Sequence, residues 1–327
     1  MGRLIAPLAI ALAAGLHGTG SAAAQTWPTR PITMVVAFAA GSGDDVFARI
    51  LSPRLSEVLG QQVIIENIGG AGGMTGTARV AKAAPDGYQF VLGGTGTFGA
   101  NQTLYKNPLY NAVTDFEPVL LIGEQPLLVQ TRKDFPANDL REFITYAKAN
   151  QSKLQFGSGG AGSATHLACV LLNSAIGINV THVPYRAAAL GLQDMIGGRI
   201  DYVCPIASTG IPHIEAGTVK TMANLSRDRS PLLPNIATAH EQGLTDLDAF
   251  FWGAFFLPKR TPPPIVQKLR EATLATMETP AVQQRLKEIA ANLVAPERRT
   301  TDYLQKFVEG EIAKWAGPIK ASGVSMD

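Results

Sequence analysis

Beyond residue 24 the chain has no apolar run approaching the roughly 18 residues that a membrane-spanning helix needs. Charge is sparse: Asp, Glu, Lys and Arg make up 17% of the 327 residues, and the formal net charge is +2. No block of like charge stands out, so nothing marks nucleic acid as a partner. Signatures of metal and nucleotide chemistry are missing as well. His166, His182, His213 and His240 lack metal-ligand spacing. No glycine loop ends in Gly-Lys-Ser/Thr, which excludes a Walker A phosphate loop. There is no Gly-x-Ser-x-Gly elbow either. The sequence therefore predicts no cofactor and no metal.

What is present is ordinary globular material. Hydrophobic residues make up 46% of the chain, and 33 glycines and 21 prolines imply many turns. The length suffices for two cores, since single cores seldom grow past ~250–300 residues. The N-terminus reads as a secretory signal over residues 1–24: Arg3, a short apolar stretch from Leu4 to Leu16, then small residues ending Ala22-Ala23-Ala24. Export makes a disulfide permissible. The two cysteines, Cys169 and Cys204, either bridge, for roughly 3–4 kcal/mol of stabilisation, or pack as buried thiols.

From Pro31 onward, short β-rich runs alternate with helical patterns. Residues 32–38, 63–66 and 88–92 read as strands, with a helix between the first two capped by Asp44 or Asp45. The pattern restarts with strands near 127–130, 154–156, 180–183, 201–204 and 219–225, with helices near 164–176 and 187–196. The aromatic run from Phe250, including Phe251, Trp252, Phe255 and Phe256, reads as a strand serving core and hinge. Helical patterns follow it to the end. Such alternation predicts an α/β protein of two lobes, each a mostly parallel sheet flanked by helices. Helices after the last strand pack most simply on the first lobe. That places lobe 1 at 25–123 and 252–327, and lobe 2 at 124–251, with two crossings forming a hinge.

Three glycine-rich turns follow predicted strands at their carboxyl ends, where open α/β sheets bind ligands. They are Ala39-Ala40-Gly41-Ser42-Gly43-Asp44-Asp45, Gly93-Gly94-Thr95-Gly96-Thr97 and the stretch from Gly157-Ser158 through Gly160 and Ser163 to Thr165-His166. Glycine leaves the amides unobstructed, and the helix N-termini that follow add partial positive charge. Together they predict an anion site needing no lysine or arginine. Ser158, Ser163, Thr165, Thr95 and Thr97 read as added hydroxyl donors. Ser163 and His166, three apart, offer a Ser–His pair, but an N-cap beside a neighbour is the commoner meaning of that spacing.

These segments resemble the Bug family, the extracytoplasmic solute receptors of tripartite tricarboxylate transporters. Trp27-Pro28-Thr29-Arg30-Pro31-Ile32 is similar to the family's opening, and Glu66-Asn67 through Gly70-Ala71-Gly72-Gly73 to its "ENRPGAGG" segment. Ser163-Ala164-Thr165-His166-Leu167 resembles its second-lobe ligand loop, and Val183-Pro184-Tyr185-Arg186 through Asp194, Gly197-Gly198 and Asp201 its "VPYKG…D…GGxxD". The resemblance implies a Venus-flytrap fold, no catalysis, a periplasmic location and a small carboxylate handed to membrane permease subunits by a monomer. It implies a clamp from Phe38 to Asp45, including Ala40, Gly41 and Ser42, a second loop at Thr95, Gly96 and Thr97, and an opposing jaw of Ser158 to His166 with Tyr185. Three departures stand out. Ala39-Ala40-Gly41-Ser42 replaces the usual Pro-x-Gly-Gly; Asp44 stands where a small neutral residue is common; and Ala187-Ala188-Ala189 replaces glycines. The rival readings are a sensory receptor feeding a signalling partner and a hydrolase built on Ser163 and His166.

Overall fold

A computed structural model describes residues 27–326. The secretory-signal reading of residues 1–24 lies outside them. The strands are β1 (Ile32–Val36), β2 (Val63–Asn67), β3 (Gln89–Gly94), β4 (Phe116–Pro126), β5 (Leu128–Arg132), β6 (Gln155–Ser158), β7 (Thr181–Pro184), β8 (Tyr202–Val203), β9 (Val219–Asn224), β10 (Phe250–Pro258) and β11 (Asn292–Leu293). They form two sheets, ordered β11-β4-β10-β3-β1-β2 and β7-β6-β8-β5-β9. The arrangement is two-lobed.

Strands β1, β2 and β3 are parallel, as are β6, β7 and β8. Antiparallel pairing belongs to the strands that carry the chain between the lobes. β4 pairs antiparallel with β10, β10 with β3, and β5 with both β8 and β9. β4, over which the sequence reading found no strand, delivers the chain to β5, and β10 receives it back. The two crossing segments lie side by side. Leu127 accepts from the Leu225 amide at 2.8 Å, and Leu225 accepts from the Ala249 amide at 2.9 Å.

Period-two alternation sorts the first sheet's side chains onto two cores. Met34, Val36, Leu92 and Phe255 pack with Phe47, Leu51 and Leu55 of helix Gly43–Leu59 and with Leu269 of helix Pro263–Met277. On the opposite face Val35, Val91 and Phe256 pack with Phe98 and with Leu304, Val308 and Trp315 of helix Thr301–Ser322. That last helix is pinned by a buried carboxylate: Glu311 accepts from the Trp252 indole at 2.9 Å and the Trp315 indole at 3.3 Å. In the second lobe a disulfide joins Cys169, on helix Ala164–Ile176, to Cys204 just after β8. It fastens to the sheet the helix whose first turn faces the other lobe. Among the described residues, no helix is long and apolar enough to cross a membrane.

Candidate functional site

Where the carboxyl ends of the parallel strands face each other lies a narrow cavity between the lobes. Apart from Phe38, Gly159 and Phe251, its lining comes from the caps and first turns of five helices. Ser42, Gly43 and Asp44 begin helix Gly43–Leu59, and Gly94 to Thr97 begin the π-type helix Thr95–Ala100. Ser163, Ala164 and Thr165 open helix Ala164–Ile176, and Gly159 precedes them. Ala187 and Ala188 begin helix Ala188–Ile196; Ile206 and Thr209 begin helix Ala207–Glu215. The first amides of a helix have no acceptor within it, and its positive end favours an anion. Ser42 caps Asp45 and Ser163 caps His166, rather than the predicted Asp44 or Asp45 cap on the first helix. The amides of Gly43, Ala164 and Thr165 are thus left at the cavity. Among the described residues no lysine, arginine or histidine lines it. Its remaining wall is apolar: Phe38, Ile206, Phe251 and the alanines.

The lobes meet closely around this cavity. A methyl group built on Gly96 would lie 2.4 Å from the Gly162 carbonyl oxygen, and one on Gly43 2.6 Å from Ile206 Cδ1. The structure is therefore a closed form.

The predicted hydroxyl donors have a different role. Thr95 Oγ1 donates to the Phe250 carbonyl at 3.1 Å and accepts from the Trp252 amide at 3.2 Å, fixing its turn to β10. Thr97 Oγ1 accepts from the Gly94 amide at 3.0 Å. Ser163 Oγ donates to the Gly160 carbonyl at 2.7 Å, and Thr165 Oγ1 accepts from the Gly159 amide at 2.9 Å. Ser158 Oγ sits 2.7 Å from His182 Nε2 and accepts from the Gly160 amide at 3.1 Å. These side chains shape the loops. Ser42 differs: its Oγ accepts from Asp45 at 3.2 Å, and no acceptor within the described residues takes its proton.

Several expected site residues lie off the cavity. Asp45 turns away from it, accepting from the Gly41 amide at 2.9 Å, Arg49 at 2.8 Å and Asn67 at 2.9 Å. Burial pushes its carboxyl upward, but these three donors outweigh burial and hold it below the ordinary value. Gly41 serves this same turn. His166 is displaced too: its Nδ1 accepts from the Gly162 amide at 3.2 Å and its ring packs 4.2 Å from that of His182. Both rings line a separate pocket that Ala321, Ser322 and Val324 at the end of the chain's last helix also border. Burial, with the His182 charge adding, pushes His166 down to about 3, and burial pushes His182 down to about 4. Among the described residues no hydrogen bond joins the Ser163 hydroxyl to an imidazole. Ala40, Gly160 and Tyr185 line a second, larger and more open cleft. The Tyr185 hydroxyl donates to Asp194 at 2.9 Å. Phe38 and Gly159 border both spaces, so the cleft adjoins the cavity's mouth.

Phe38, Ser42, Thr95, Gly96, Thr97, Ser163 and Thr165 do line the cavity. Ile206 and Thr209 were missed because nothing local marks them; Ala187 and Ala188 stood out only as departures from glycine. Phe251, read as core and hinge, is buried and also forms the cavity wall. Asp44 is the one acid that faces in.

A two-lobed α/β protein with an interlobe cavity ringed by helix N-termini has the architecture of a solute-binding protein, and its relatives are such proteins. The tripartite tricarboxylate transporter family receptor profile matches residues 47–324. The chain is 32% identical to Protein BugT of Bordetella pertussis over 100% of its own length and 99% of that protein's. It superposes on the periplasmic binding protein BugD with a TM-score of 0.88 and 37% identity, covering 92% of this chain and 100% of that one. MatC of Rhodopseudomonas palustris, solved with bound malate, gives 0.87 at 36% identity, covering 90% and 100%. The chain belongs to the tripartite tricarboxylate transporter receptor family.

Proposed function

We propose that the protein captures a small carboxylate in the periplasm and presents it, closed, to the membrane permease of a tripartite tricarboxylate-type transporter, acting as a monomer and without chemical turnover. The observation that carries this is the ring of five helix N-termini around a cavity with no basic side chain. Backbone dipoles and unpartnered amides hold an anion there without a fixed countercharge. The lobes, 25–123 with 252–327 and 124–251, act as the moving bodies, hinging at the paired crossings around Leu127 and Ala249, which Leu225 bridges. A ligand stabilises the closed form by as much as it binds that form better. Relatives solved with malate and with adipate support a carboxylate ligand here. The Ser163 hydroxyl, committed to the Gly160 carbonyl, supports binding over hydrolysis. A thermal-shift screen of small carboxylates and amino acids tests the reading. A ligand at 100 times its Kd should stabilise by about 2.7 kcal/mol; no response across the set rejects it.

A further inference from the structure

Asp44 is 7% exposed and faces the cavity, yet no side chain among the described residues donates to its carboxyl. Its neighbour Asp45 has three donors and an ion pair with Arg49. The two carboxylates, adjacent in sequence, are thus treated oppositely: one is neutralised inside the protein, the other is left for whatever enters. The remaining polar groups of the wall are helix amides or hydroxyls whose protons are mostly spent, so Asp44 is the cavity's strong acceptor.

Resting on the carboxylate reading above, we infer that Asp44 is a specificity determinant that seats a protonated amine, so that the ligand is an amino-carboxylate rather than a plain di- or tricarboxylate. The ligand's carboxylate meets the helix N-termini; its ammonium meets Asp44. A ligand bearing only carboxylates would close the lobes over Asp44 with no donor for it, and a buried unpaired charge is costly. An amine supplies both the countercharge and the hydrogen bond.

Burial pushes the Asp44 carboxyl up to about 7, its own amide opposing and the Asp45 charge adding. Asp45 is the one charged group bearing on it. The segments facing it, at Phe38, Gly94–Thr97, Gly159–Thr165, Ala187–Ala188 and Ile206–Thr209, carry none, and Arg186 lies in the neighbouring cleft.

The test is calorimetry of matched pairs that differ only at the amine: L-aspartate against L-malate and succinate, and L-leucine against 2-hydroxy-4-methylpentanoate and 4-methylpentanoate. The expected result is at least tenfold tighter binding of the amino member of one set. Its affinity should rise from pH 5.5 to 8 as Asp44 ionises while the amine stays protonated. Asp44→Asn and Asp44→Thr should both abolish the preference, with folding checked by circular dichroism. Tighter binding of the amine-free acids, strengthening as pH falls, overturns the inference: Asp44 is then a proton-bearing donor to a carboxylate, and the carboxylate reading survives. If no member of either set binds, the carboxylate reading falls and this inference with it.

Discussion

Replacing Gly96 with alanine adds one methyl group at the seam where the lobes touch. The added carbon would sit 2.4 Å from the Gly162 carbonyl oxygen, whereas ordinary contact begins at 3.4 Å. The obstacle is backbone, so the second-lobe loop must retreat by about 1 Å or the lobes must stay apart. Gly96 lies in a helical turn at negative φ, which alanine adopts freely, so the substitution tests space and not backbone strain. Overpacking of this size costs about 1–3 kcal/mol. That cost falls on the closed form alone, and affinity depends on how readily that form is reached. Isothermal titration with a ligand found in the carboxylate screen should therefore show Kd raised by roughly 5- to 150-fold. Thermal unfolding of the open, ligand-free protein should be nearly unchanged. An unaltered Kd would refute the reasoning, because it would mean that the loop around Gly162 does not close over this turn in the liganded protein.

Two further predictions concern stability. Between pH 3.8 and about 7 the folded protein holds a proton on Asp44 that the unfolded chain has released. That contribution is fully present below 3.8 and is lost as pH rises through about 7. In urea unfolding without ligand, where the protein occupies the closed form only in part, Asp44→Asn should match the parent near pH 4 and exceed it near pH 8 by less than the roughly 4 kcal/mol that a wholly closed protein would give; an equal difference at both pH values would contradict the buried, unpaired carboxyl. Replacing Cys169 and Cys204 with serine removes a bridge across a sequence separation of 35 residues. The loss should be about 3–4 kcal/mol by denaturant titration, with hydrogen exchange rising first in the second lobe.

The strand–helix alternation, the two-lobed plan and the three glycine turns were legible from local pattern, because periodicity and turn chemistry act over a few residues. β4 was not. Within Phe116–Pro126 only the four residues Val119, Leu120, Leu121 and Ile122 form an apolar run, between Glu117-Pro118 and Gly123-Glu124-Gln125, and so short a run lacks the alternation that separates a strand from other buried segments. Its identity depends on pairing with β10, more than a hundred residues away.

The site divides the same way. Sequence alone determined that helix N-termini and glycine turns cluster at strand ends, since capping residues and glycines act on their own neighbours. Only the tertiary structure decided where each polar atom's bond goes. Thr95 spends its hydroxyl on β10, Ser158 faces His182, and Ala187, Ile206 and Thr209 reach the cavity from turns distant in the chain. Asp44 and Asp45 are chemically identical neighbours. The roughly 100° between successive helix positions sends one toward Arg49 and Asn67 and the other into the cavity, and that direction has meaning only once both lobes stand around it.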